Sequence, residues 1–307
     1  MELDREQLNV LKEIAGIDGA PEGAYNIRVD GKSVGSSSTK EIDIKFHGTG
    51  NGMDITVAPG TVRQNVHIPV ILSASGHVET VYNNFFIGEN ADITIVAGCG
   101  VHNCGSGLSQ HDGVHTFHLG KNARVKYVEK HYGSEESTGE IVLNPVTEAY
   151  LGEGSFMEMN TIQIRGVNST RRVTRADIGA GASLVIKEKL MTHDRQQAVT
   201  EFEVNLNGKG SSADVASRSV ASGSSRQVFL SKMSGNEECA GHSECDAIIM
   251  DAACVQAIPE VTANHVEAML IHEAAIGKIA GEQITKLMTL GLDREEAERQ
   301  IVKGFLK

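Results

Sequence analysis

Two hydrophobic periods divide the first part of the chain. Near the amino terminus Leu8, Leu11 and Ile14 recur at the spacing of one helix face, and Asp4 stands where it can cap the first turn. From about residue 24 apolar and polar residues alternate instead, as in the run IDIKF that begins at Ile42. Alternation with period two is typical of strands that bury one face. The pattern therefore predicts a short N-terminal helix followed by β-strands.

The middle of the chain repeats a turn signal. An apolar residue, a glycine and then an alternating strand recur at five places, where the glycines are Gly88, Gly120, Gly152, Gly179 and Gly208. Successive glycines are 32, 32, 27 and 29 residues apart. A tight turn that returns at similar phase and feeds the same kind of strand indicates stacked coils, as in a β-helix. An antiparallel sandwich stays open as the alternative, although its hairpins usually bring denser turns.

The pattern changes again after Pro259. Asn264 can cap a helix, and the apolar residues that follow at helical spacing are Val266, Met269, Leu270 and Ala274. Two more helical segments follow at 282–290 and 293–305, the second capped by Asp293. We therefore expect an N-terminal helical segment at 1–23, a β-helix core at 24–259 and a C-terminal helical subdomain at 260–307.

Charge and composition narrow the class of protein. The 307-residue chain has a formal net charge of −12 and scatters its lysines and arginines, so no basic stripe can neutralise a row of phosphates. The amino terminus lacks a secretory pattern, and no apolar run approaches the roughly 18 residues of a membrane helix. We expect no nucleic-acid or membrane partner and a cytoplasmic location, where the five cysteines are thiols or metal ligands.

The densest set of potential ligands lies between residues 235 and 275. It contains Cys239, Cys245 and Cys254 together with three histidines and many carboxylates. Thiolate and imidazole suit iron and zinc, and a carboxylate can complete such a site. The spacings lack the paired Cys-x-x-Cys knuckles of structural zinc. In a strand, Cys245 and Cys254 could instead be small buried hydrophobes. The region indicates a metal or cluster site without fixing its members.

A second group of thiols and histidines follows the strand that ends near Val96. Cys99 is flanked by glycines, which predicts an accessible sulfur at a turn, and its reactivity requires a lowered thiol pKa. His111 and His115 share strand parity whereas His118 does not, which disfavours a metal site of all three. The sequence has neither a Gly-x-x-x-x-Gly-Lys-Ser/Thr loop nor a Gly-x-Gly-x-x-Gly turn between a strand and a helix. The chain itself is therefore not expected to hydrolyse ATP or to hold a dinucleotide.

Longer stretches of the sequence resemble one known family. The run CDAIIMDAACVQAIPEVTANHVEAMLIHEAAIGKIA begins at Cys245, and GLDREEAERQIVKGFLK closes the chain. Upstream, VAGC ends at Cys99, SQHDGVHTFHLGKNARVKY begins at Ser109 and LVIKEKLMTHDRQQA begins at Leu184. Together these segments, which span about residues 87–307, resemble the SufB/SufD family of iron-sulfur cluster assembly proteins.

The resemblance implies a fold and a set of partners. Members have a mainly β fold, a right-handed parallel β-helix between terminal helical regions, which agrees with the repeat. They dimerise through the C-terminal β-helix strands, and their helical tail docks SufC, an ABC-type ATPase. The resemblance therefore implies a scaffold and not an enzyme. It would take sulfur from a donor, assemble a transient iron-sulfur cluster and pass it to recipient apoproteins, while the partner hydrolyses ATP.

Individual residues resemble SufB more closely than SufD. Cys99 resembles the cysteine that accepts persulfide sulfur, and Cys245 falls at the position of the interface cysteine. Glu273, with His272 before it, falls on the acidic position that acts with that cysteine in cluster formation. Cys254 also resembles a SufB cysteine. The resemblance implies sulfur entry at Cys99 and a cluster site of Cys245, His272 and Glu273 at a dimer interface.

Some positions depart from the SufB pattern. The chain has no tryptophan, His131 and Gly133 stand where SufB proteins carry Gln and Trp along the proposed internal sulfur route, and Glu148 replaces a Lys. We therefore expect a short SufB-like scaffold that works as a homodimer or with a SufB/SufD paralogue. Two alternatives remain: a structural SufD-like partner without a cluster, and a metal-dependent β-fold enzyme that uses His111 and His115.

Overall fold

Strands make up 58% of the chain and stack into a β-solenoid of about eight turns. The structure is a computed structural model that describes residues 3–48, 50–134 and 136–307, so residues 1 and 2 of the predicted N-terminal segment lie outside the described residues. In chain order the elements are α1 (Arg5–Ala15), β1 (Ala24–Val29), β2 (Lys32–Ser37), β3 (Ile42–Phe46), β4 (Gly52–Val57), β5 (Val62–Leu72), β6 (Val78–Ile87), β7 (Asp92–Val101), β8 (Ser109–Leu119), β9 (Arg124–Gly133), β10 (Ile141–Leu143), β11 (Val146–Leu151), β12 (Phe156–Arg165), β13 (Ser169–Ile178), β14 (Ser183–Thr192), β15 (Gln197–Leu206), β16 (Ser211–Ala221), β17 (Arg226–Gly235), β18 (Cys239–Ile249), β19 (Cys254–Ala263), β20 (Ala268–Gly277), α2 (Gly281–Thr289) and α3 (Arg294–Phe305). None of the helices in the described ranges is long and apolar enough to cross a membrane.

Two long sheets form the walls of the β-helix. Sheet A has the order β2-β1-β5-β7-β9-β12-β14-β16-β18-β20, and sheet B has the order β19-β17-β15-β13-β10-β8-β6-β4-β3, with β11 also between β13 and β8. The described pairs are parallel apart from β1 with β2 and β3 with β4. Each later coil thus contributes strands to both sheets, and neighbouring coils stack at the strand spacing of about 4.8 Å. The β-helix expected from the sequence is confirmed, and the antiparallel sandwich is wrong.

The repeat glycines are needed where successive turns stack. A Cβ on Gly152 would lie 2.6 Å from the carbonyl oxygen of Leu119, and one on Gly208 would lie 2.0 Å from the amide nitrogen of Ala180. The left-handed position of the turn comes two residues later, as at Gly154 with a φ of 66°. The repeat glycines therefore mark the close approach of neighbouring coils and not an unusual backbone angle.

Alternation along the strands fills the interior with one face of each strand. The inward side chains form one apolar core from the first coils to β18, in which Phe85 stacks on Phe117 at a ring-centroid distance of 4.3 Å. Helix α1 lies outside this core and packs Val10 and Ile14 against β1 and β5. Asp4 caps it, as the sequence predicts.

The helix predicted from Asn264 is wrong. The chain there forms β19 and β20, and helix begins only with α2 at Gly281. Ala, Met, Leu and Glu favour helix intrinsically, but β18 offers a full ladder of backbone partners and β20 pairs with it from end to end, so tertiary pairing overrides local propensity. The strands therefore continue past residue 259. The two terminal helices are confirmed as α2 and α3, and Asp293 caps α3.

Candidate functional site

Cys99 lies inside the β-helix and not at an accessible turn. It belongs to β7, and only 2% of the residue is exposed. The flanking Gly98 and Gly100 face outward beneath α1, where a Cβ on Gly100 would lie 2.2 Å from Cγ1 of Val10. The glycines make room for the helix and do not open the sulfur to solvent. The prediction that Cys99 is accessible is therefore wrong.

Burial also sets the protonation of this thiol. Desolvation raises the pKa of Cys99 well above its ordinary value, and the charges of Glu79 and Glu129 raise the pKa further. Because the thiolate is the nucleophile of sulfur chemistry, Cys99 is unreactive in this conformation.

A small polar cavity adjoins the Cys99 side chain. Its volume is about 10 Å³, which is room for one water molecule at most. The polar residues that line it with Cys99 are His111, His115, Glu129 and His131. The thiol therefore borders imidazole and carboxylate groups on the interior side of the wall.

His111 is held by a hydrogen bond to a largely buried carboxyl group. Its Nδ1 lies 3.0 Å from Oε1 of Glu79, and Glu79 also pairs with Arg28 at 3.3 Å. Burial alone raises the pKa of the Glu79 carboxyl, but the hydrogen bond and charge of His111, followed by Arg28, outweigh burial and lower the pKa to about 2. Glu79 is therefore ionised at neutral pH and fixes the orientation of the His111 ring.

His115 shares the inward face of β8 with His111, as strand parity predicts, while His118 faces outward. Its Nδ1 lies 2.7 Å from the hydroxyl of Tyr127, and its Nε2 lies 3.3 Å from the amide nitrogen of Asn83. Burial lowers the pKa of His115 to about 4, so the ring is neutral. Because both ring nitrogens are engaged, His115 is poorly placed to serve the metal-dependent enzyme considered above.

Five buried side chains form an interior ionic cluster: Tyr127, Glu129, His131, Arg172 and Glu188. The Tyr127 hydroxyl donates to Glu129 at 3.0 Å, and the Arg172 guanidinium donates to the same carboxylate. Arg172 also lies 3.2 Å from Nδ1 of His131 and 3.6 Å from Oε1 of Glu188. One guanidinium thus serves both carboxyl groups.

The two carboxyl groups of the interior ionic cluster differ in protonation. Burial opposes the ionisation of Glu129, but the charge of Arg172 prevails and lowers the Glu129 pKa well below its ordinary value. At Glu188 burial prevails over Arg172 and raises the pKa. The cluster therefore pairs a firmly ionised carboxylate with a carboxyl group that protonates readily.

The interior ionic cluster is not among the sequence predictions, although the sequence contains a signal for it. Val125, Tyr127, Glu129 and His131 alternate on the inward face of β9, so a charge stands where the pattern otherwise places core residues. A charge at a buried position requires a partner inside the protein. The parity of β9 could have predicted a buried carboxylate, whereas its pairing with Arg172 depends on how the coils stack.

An interior polar row connects this cluster to Cys245 along sheet A. In register order its members are Glu129, Thr161, Glu188, Ser217 and Cys245. The Ser217 hydroxyl donates to Glu188 at 2.6 Å. The strands that carry Cys99 and Cys245 are five places apart in the sheet, a distance of roughly 24 Å. One chain therefore does not bring the two thiols together, and the polar row lies between them.

Cys245 lies on the strand next to the end of sheet A. It is 1% exposed, and burial, followed by the charges of Glu188 and Asp246, raises its pKa to about 12. The last strand, β20, aligns Ala274 with it. In the isolated chain Cys245 is therefore a protonated thiol close to the point where the β-helix stops.

The strand structure of β20 separates the two other predicted ligands. His272 aligns with Ser243 and faces the interior together with Cys245, whereas Glu273 aligns with Glu244 on the opposite face and is exposed. Both ring nitrogens of His272 are buried and lack a hydrogen-bond partner among the described residues, and burial lowers its pKa. Within one chain the structure therefore brings His272, and not Glu273, to the face of Cys245.

Cys254 lies in the other wall of the β-helix. It is the first residue of β19 in sheet B, aligns with Arg226 and is exposed. The structure therefore does not bring Cys254 to Cys245. All five cysteines are free, as the sequence predicts for thiols outside a disulfide framework.

The coil formed by β19 and β20, here called the open end, is uncovered. Each of these strands is the last of its sheet in the described part of the chain, so one backbone edge of each has no neighbouring strand. The exposed large apolar side chains of this coil are Ile258, Val261, Val266, Met269, Ile271 and Ile276. Free strand edges with apolar side chains are a template for another chain.

A comparison with known families matches most of this architecture. The family described as "SUF system FeS cluster assembly, SufBD core domain" matches residues 70–305. The chain belongs to the SufBD family. This family is implicated in iron-sulfur cluster assembly. The matched range contains Cys99, the interior polar row and the open end, whereas α1 precedes it.

Curated SufBD relatives include several archaeal proteins. The iron-sulfur cluster assembly SufBD family protein of Methanothermobacter thermautotrophicus is 31% identical over 234 residues, which are 75% of this chain and 55% of that protein. The relative in Archaeoglobus fulgidus is 29% identical over 261 residues, or 84% and 68% of the two chains. One in Pyrococcus horikoshii is 26% identical over 289 residues, or 90% and 84%. The SufBD chain described here thus spans a little over half the length of the first relative.

Proposed function

We propose that this SufBD chain is a SufB-like scaffold on which an iron-sulfur cluster is assembled as cargo and then released. The observation that supports this best is the position of Cys245, which shares a face with the unpartnered His272 next to the open end. Thiolate and imidazole are ligands that iron accepts. Because a second chain would close the open end in this proposal, separation of the two chains would free the product.

Glu273 lies on the outer face of β20, and its proposed role is at the interface with a second subunit. It would act where a second subunit covers the open end, because within one chain it faces away from Cys245. A carboxylate is a harder ligand than a thiolate, which suits a ligand that must let the cluster go. Cys254 is left out of the proposed site because it lies on the other sheet.

We further propose that sulfur enters at Cys99 and passes along the interior polar row to Cys245 as hydrosulfide, after a thiol reductant has cleaved the Cys99 persulfide and has itself been oxidised to a disulfide. In the first step the Cys99 thiolate would attack the outer sulfur of a donor persulfide, form a new S–S bond and release the donor thiol. The cavity beside Cys99 and the polar row support this route. Uptake requires the wall beside Cys99 to open, since the thiol is buried and protonated in the closed chain.

The three positions that depart from the SufB pattern differ in where they lie relative to this sulfur route. His131 lines the cavity beside Cys99, so a polar side chain is kept there. A Cβ on Gly133 would lie 2.1 Å from the carbonyl oxygen of Gly166, which shows close backbone packing in place of a large side chain. Glu148 lies 3.8 Å from Arg175 on the half-exposed outer face. The route would therefore depend on His131 and the interior ionic cluster.

The proposed scaffold works with two stable partners, a second subunit and an ATPase, and with two kinds of transient partner. A second copy or a SufB/SufD paralogue would cover the open end, and a SufC-like ABC-type ATPase would dock on α2 and α3. A groove of about 600 Å³ between α3 and the ends of the strands, lined by Met191, Met250, Val302 and Leu306 among others, supports the docking surface. ATP hydrolysis would belong to the ATPase alone. A sulfur donor and recipient apoproteins would meet the scaffold in the cytoplasm.

Truncation tests the docking surface. Deleting residues 282–307 should abolish co-purification with the ATPase while the strand signal in circular dichroism persists, because the β-helix does not include α2 or α3. Undiminished co-purification of the truncated chain would remove these helices from the proposal.

Anaerobic reconstitution with iron and sulfide tests the ligand set. We expect His272→Ala to lower the bound iron and to change the Mössbauer spectrum of what remains. Glu273→Gln should lower the yield only in the assembled dimer, because Glu273 faces away from Cys245 in one chain. His265→Ala, in the turn before β20, is the matched control and should behave as the wild type. Equal losses at positions 265 and 272 would contradict the assignment of His272.

A structural SufD-like role is the second candidate. It is favoured by the burial of Cys99 and Cys245 and by the raised pKa of each thiol. In that role the chain would support a cluster-bearing partner and the ATPase while binding no cluster. A wild-type reconstitution yield no higher than that of Cys245→Ala would favour this role over the scaffold.

A further inference from the structure

A second group of metal-binding side chains lies outside the interior. Glu6 comes from the first turn of α1, His102 follows β7 and Glu136 follows β9. Each offers one ligand atom, and the three atoms lie within 4.8 Å of one another. The Sγ of Cys104 lies 3.0 Å from Nε2 of His102. In the ranges that the structure describes, no other three His, Cys, Asp or Glu side chains converge in this way.

We infer that Glu6, His102, Cys104 and Glu136 bind a divalent transition-metal ion of the iron and zinc type. The donor set decides the class of metal, since imidazole and thiolate favour these ions over Mg²⁺ and Ca²⁺, which prefer oxygen ligands alone. Two carboxylates add the negative charge that attracts a dication. The site is separate from Cys245 and does not depend on the cluster proposal.

The geometry needs only side-chain rotation to close around an ion. Bonds of about 2.0–2.3 Å to N, O and S donors place ligand atoms of a tetrahedral site roughly 3.3–3.8 Å apart. Glu6 and Glu136 are exposed and free to turn through the small difference. The exposed Cys104 lies outside this group of three convergent atoms, although its sulfur contacts His102, and would have to rotate further to join them. On binding, the S–H bond of Cys104 breaks, an S–metal bond forms and the proton goes to solvent. No oxidation or reduction is involved.

The backbone that carries these ligands is held in place without the ion. The backbone amide of Asn103 donates to the Ser137 hydroxyl at 2.9 Å, and the amide of Thr138 donates back to the Asn103 carbonyl at 2.8 Å. These bonds join the turns after β7 and β9. The Gln7 side chain donates to the Ser73 hydroxyl at 3.1 Å and fixes the first turn of α1 to the end of β5. An ion would therefore meet a preformed frame.

The location gives the ion a mechanical effect. Glu6 lies on the helix that covers Gly98 and Gly100, and His102 directly follows the strand that contains Cys99. An ion bound to both Glu6 and His102 would tie α1 to this wall. Occupancy of the site should therefore slow the opening of α1, whether or not Cys99 accepts sulfur.

Titration with Co²⁺, then with Zn²⁺ and anaerobic Fe²⁺, tests the site in the full chain. The parent protein carries Cys245→Ala and His272→Ala, so that the proposed cluster ligands do not contribute to metal binding. We expect stoichiometric binding, visible bands of a four-coordinate Co²⁺ and a sulfur-to-cobalt charge-transfer band in the near ultraviolet. Cys104→Ser should lose the charge-transfer band and bind more weakly. His102→Ala should bind at least about tenfold more weakly.

Two further measurements keep the test decisive. His118→Ala, which removes an exposed histidine on the outer face of sheet B, is the matched control and should bind as the parent. Zn²⁺ should slow amide hydrogen exchange in α1 of the parent and not of His102→Ala, with circular dichroism confirming that each variant is folded. Unchanged spectra on adding Co²⁺, or equal affinity of His102→Ala and the parent, would overturn the inference. Displacement of Co²⁺ by equimolar Mg²⁺ would overturn the class of metal.

Discussion

At the scale of single residues, Arg172 is the side chain on which the interior ionic cluster depends. Its guanidinium contacts Glu129, His131 and Glu188 in the buried interior. Removing it leaves the buried Glu129 carboxylate without its guanidinium partner, although the Tyr127 hydroxyl still donates to it. We expect Arg172→Met to lower the free energy of unfolding by about 3–5 kcal/mol, measured by urea unfolding.

The neighbouring Arg171 supplies the matched control for that substitution. Its side chain faces outward, is 62% exposed and pairs with Glu201 at 2.7 Å. An exposed pair contributes at most about 1 kcal/mol, so Arg171→Met should shift the urea midpoint little. Equal destabilisation by the two substitutions would show that the buried cluster has no special weight.

His115 predicts how stability depends on pH. Its pKa in the folded chain is about 4 against an ordinary value of 6.5, so the unfolded chain takes up a proton at a higher pH than the folded chain does. This contribution to stability is present above pH 6.5 and is lost as the pH falls toward 4. The urea midpoint of His115→Gln should therefore fall less steeply across this window than that of the wild type. As the control, His118→Gln, at an exposed position, should keep the wild-type dependence of the urea midpoint on pH. If His115→Gln also kept the wild-type dependence, the His115 ring would not be the source of the loss of stability at low pH.

At the scale of elements, the packing of α1 on β7 is decided by two glycines. A Cβ on Gly100 would lie 2.2 Å from Cγ1 of Val10, and overpacking of this kind typically costs about 1–3 kcal/mol. We expect Gly100→Ala to push α1 off the wall and so to let β7 open more readily. Alkylation of the inward-facing Cys99 should then speed up roughly tenfold or more, since about 1.4 kcal/mol is a factor of ten. The assay uses a chain in which the exposed Cys104 and Cys254 are serines.

A glycine without neighbours controls for that experiment. A Cβ on Gly277, at the end of β20, would meet no atom within 4 Å, so Gly277→Ala should leave the alkylation rate of Cys99 unchanged. If Gly100→Ala also left it unchanged, the packing of α1 would not be what keeps the wall beside Cys99 closed.

The elements that the sequence predicted correctly are those whose formation depends on residues within or next to the element itself. Helix α1 has its own cap at Asp4, and the repeat glycines mark the stacking of coils wherever the coils recur. The prediction of a helix in the last coil was wrong because the residues of β20, AMLIHEAAIG, have high helix propensity and form a strand only beside β18. That error changed the site as well, because in a strand His272 and Glu273 point to opposite faces.

Other parts of the site could not be predicted from local patterns. The glycines around Cys99 suggested exposure, but α1 covers them from a distant part of the sequence. The parity of His111 and His115 was correct, yet their engagement by Glu79, Tyr127 and Asn83 arises from neighbouring coils. Resemblance supplied Cys245 as a candidate, and only the stacking order shows that it lies beside the open end.

At the scale of the whole molecule, the open end predicts self-association or pairing with a paralogue. Ile271 is 53% exposed on the last strand, where a charge would oppose burial by a second chain. We expect Ile271→Lys to shift the chain from dimer to monomer in analytical ultracentrifugation. Met288→Lys, at a 46% exposed position on α2, should leave the dimer intact. A monomeric wild type that also fails to bind a SufBD paralogue would contradict the role of the open end.

The proposed function depends most on Cys245 as a ligand of the cluster assembled at the open end. The most direct test is the iron and acid-labile sulfide bound per chain after anaerobic reconstitution of the wild type, Cys245→Ser and Cys254→Ser. Cys254 is a suitable control because its exposed thiol lies on the other sheet, so a loss caused merely by removing a reactive cysteine would show there too. We expect Cys254→Ser to bind as much as the wild type and Cys245→Ser to lose most of the cluster. A wild-type yield in Cys245→Ser would exclude Cys245 as a ligand of the cluster.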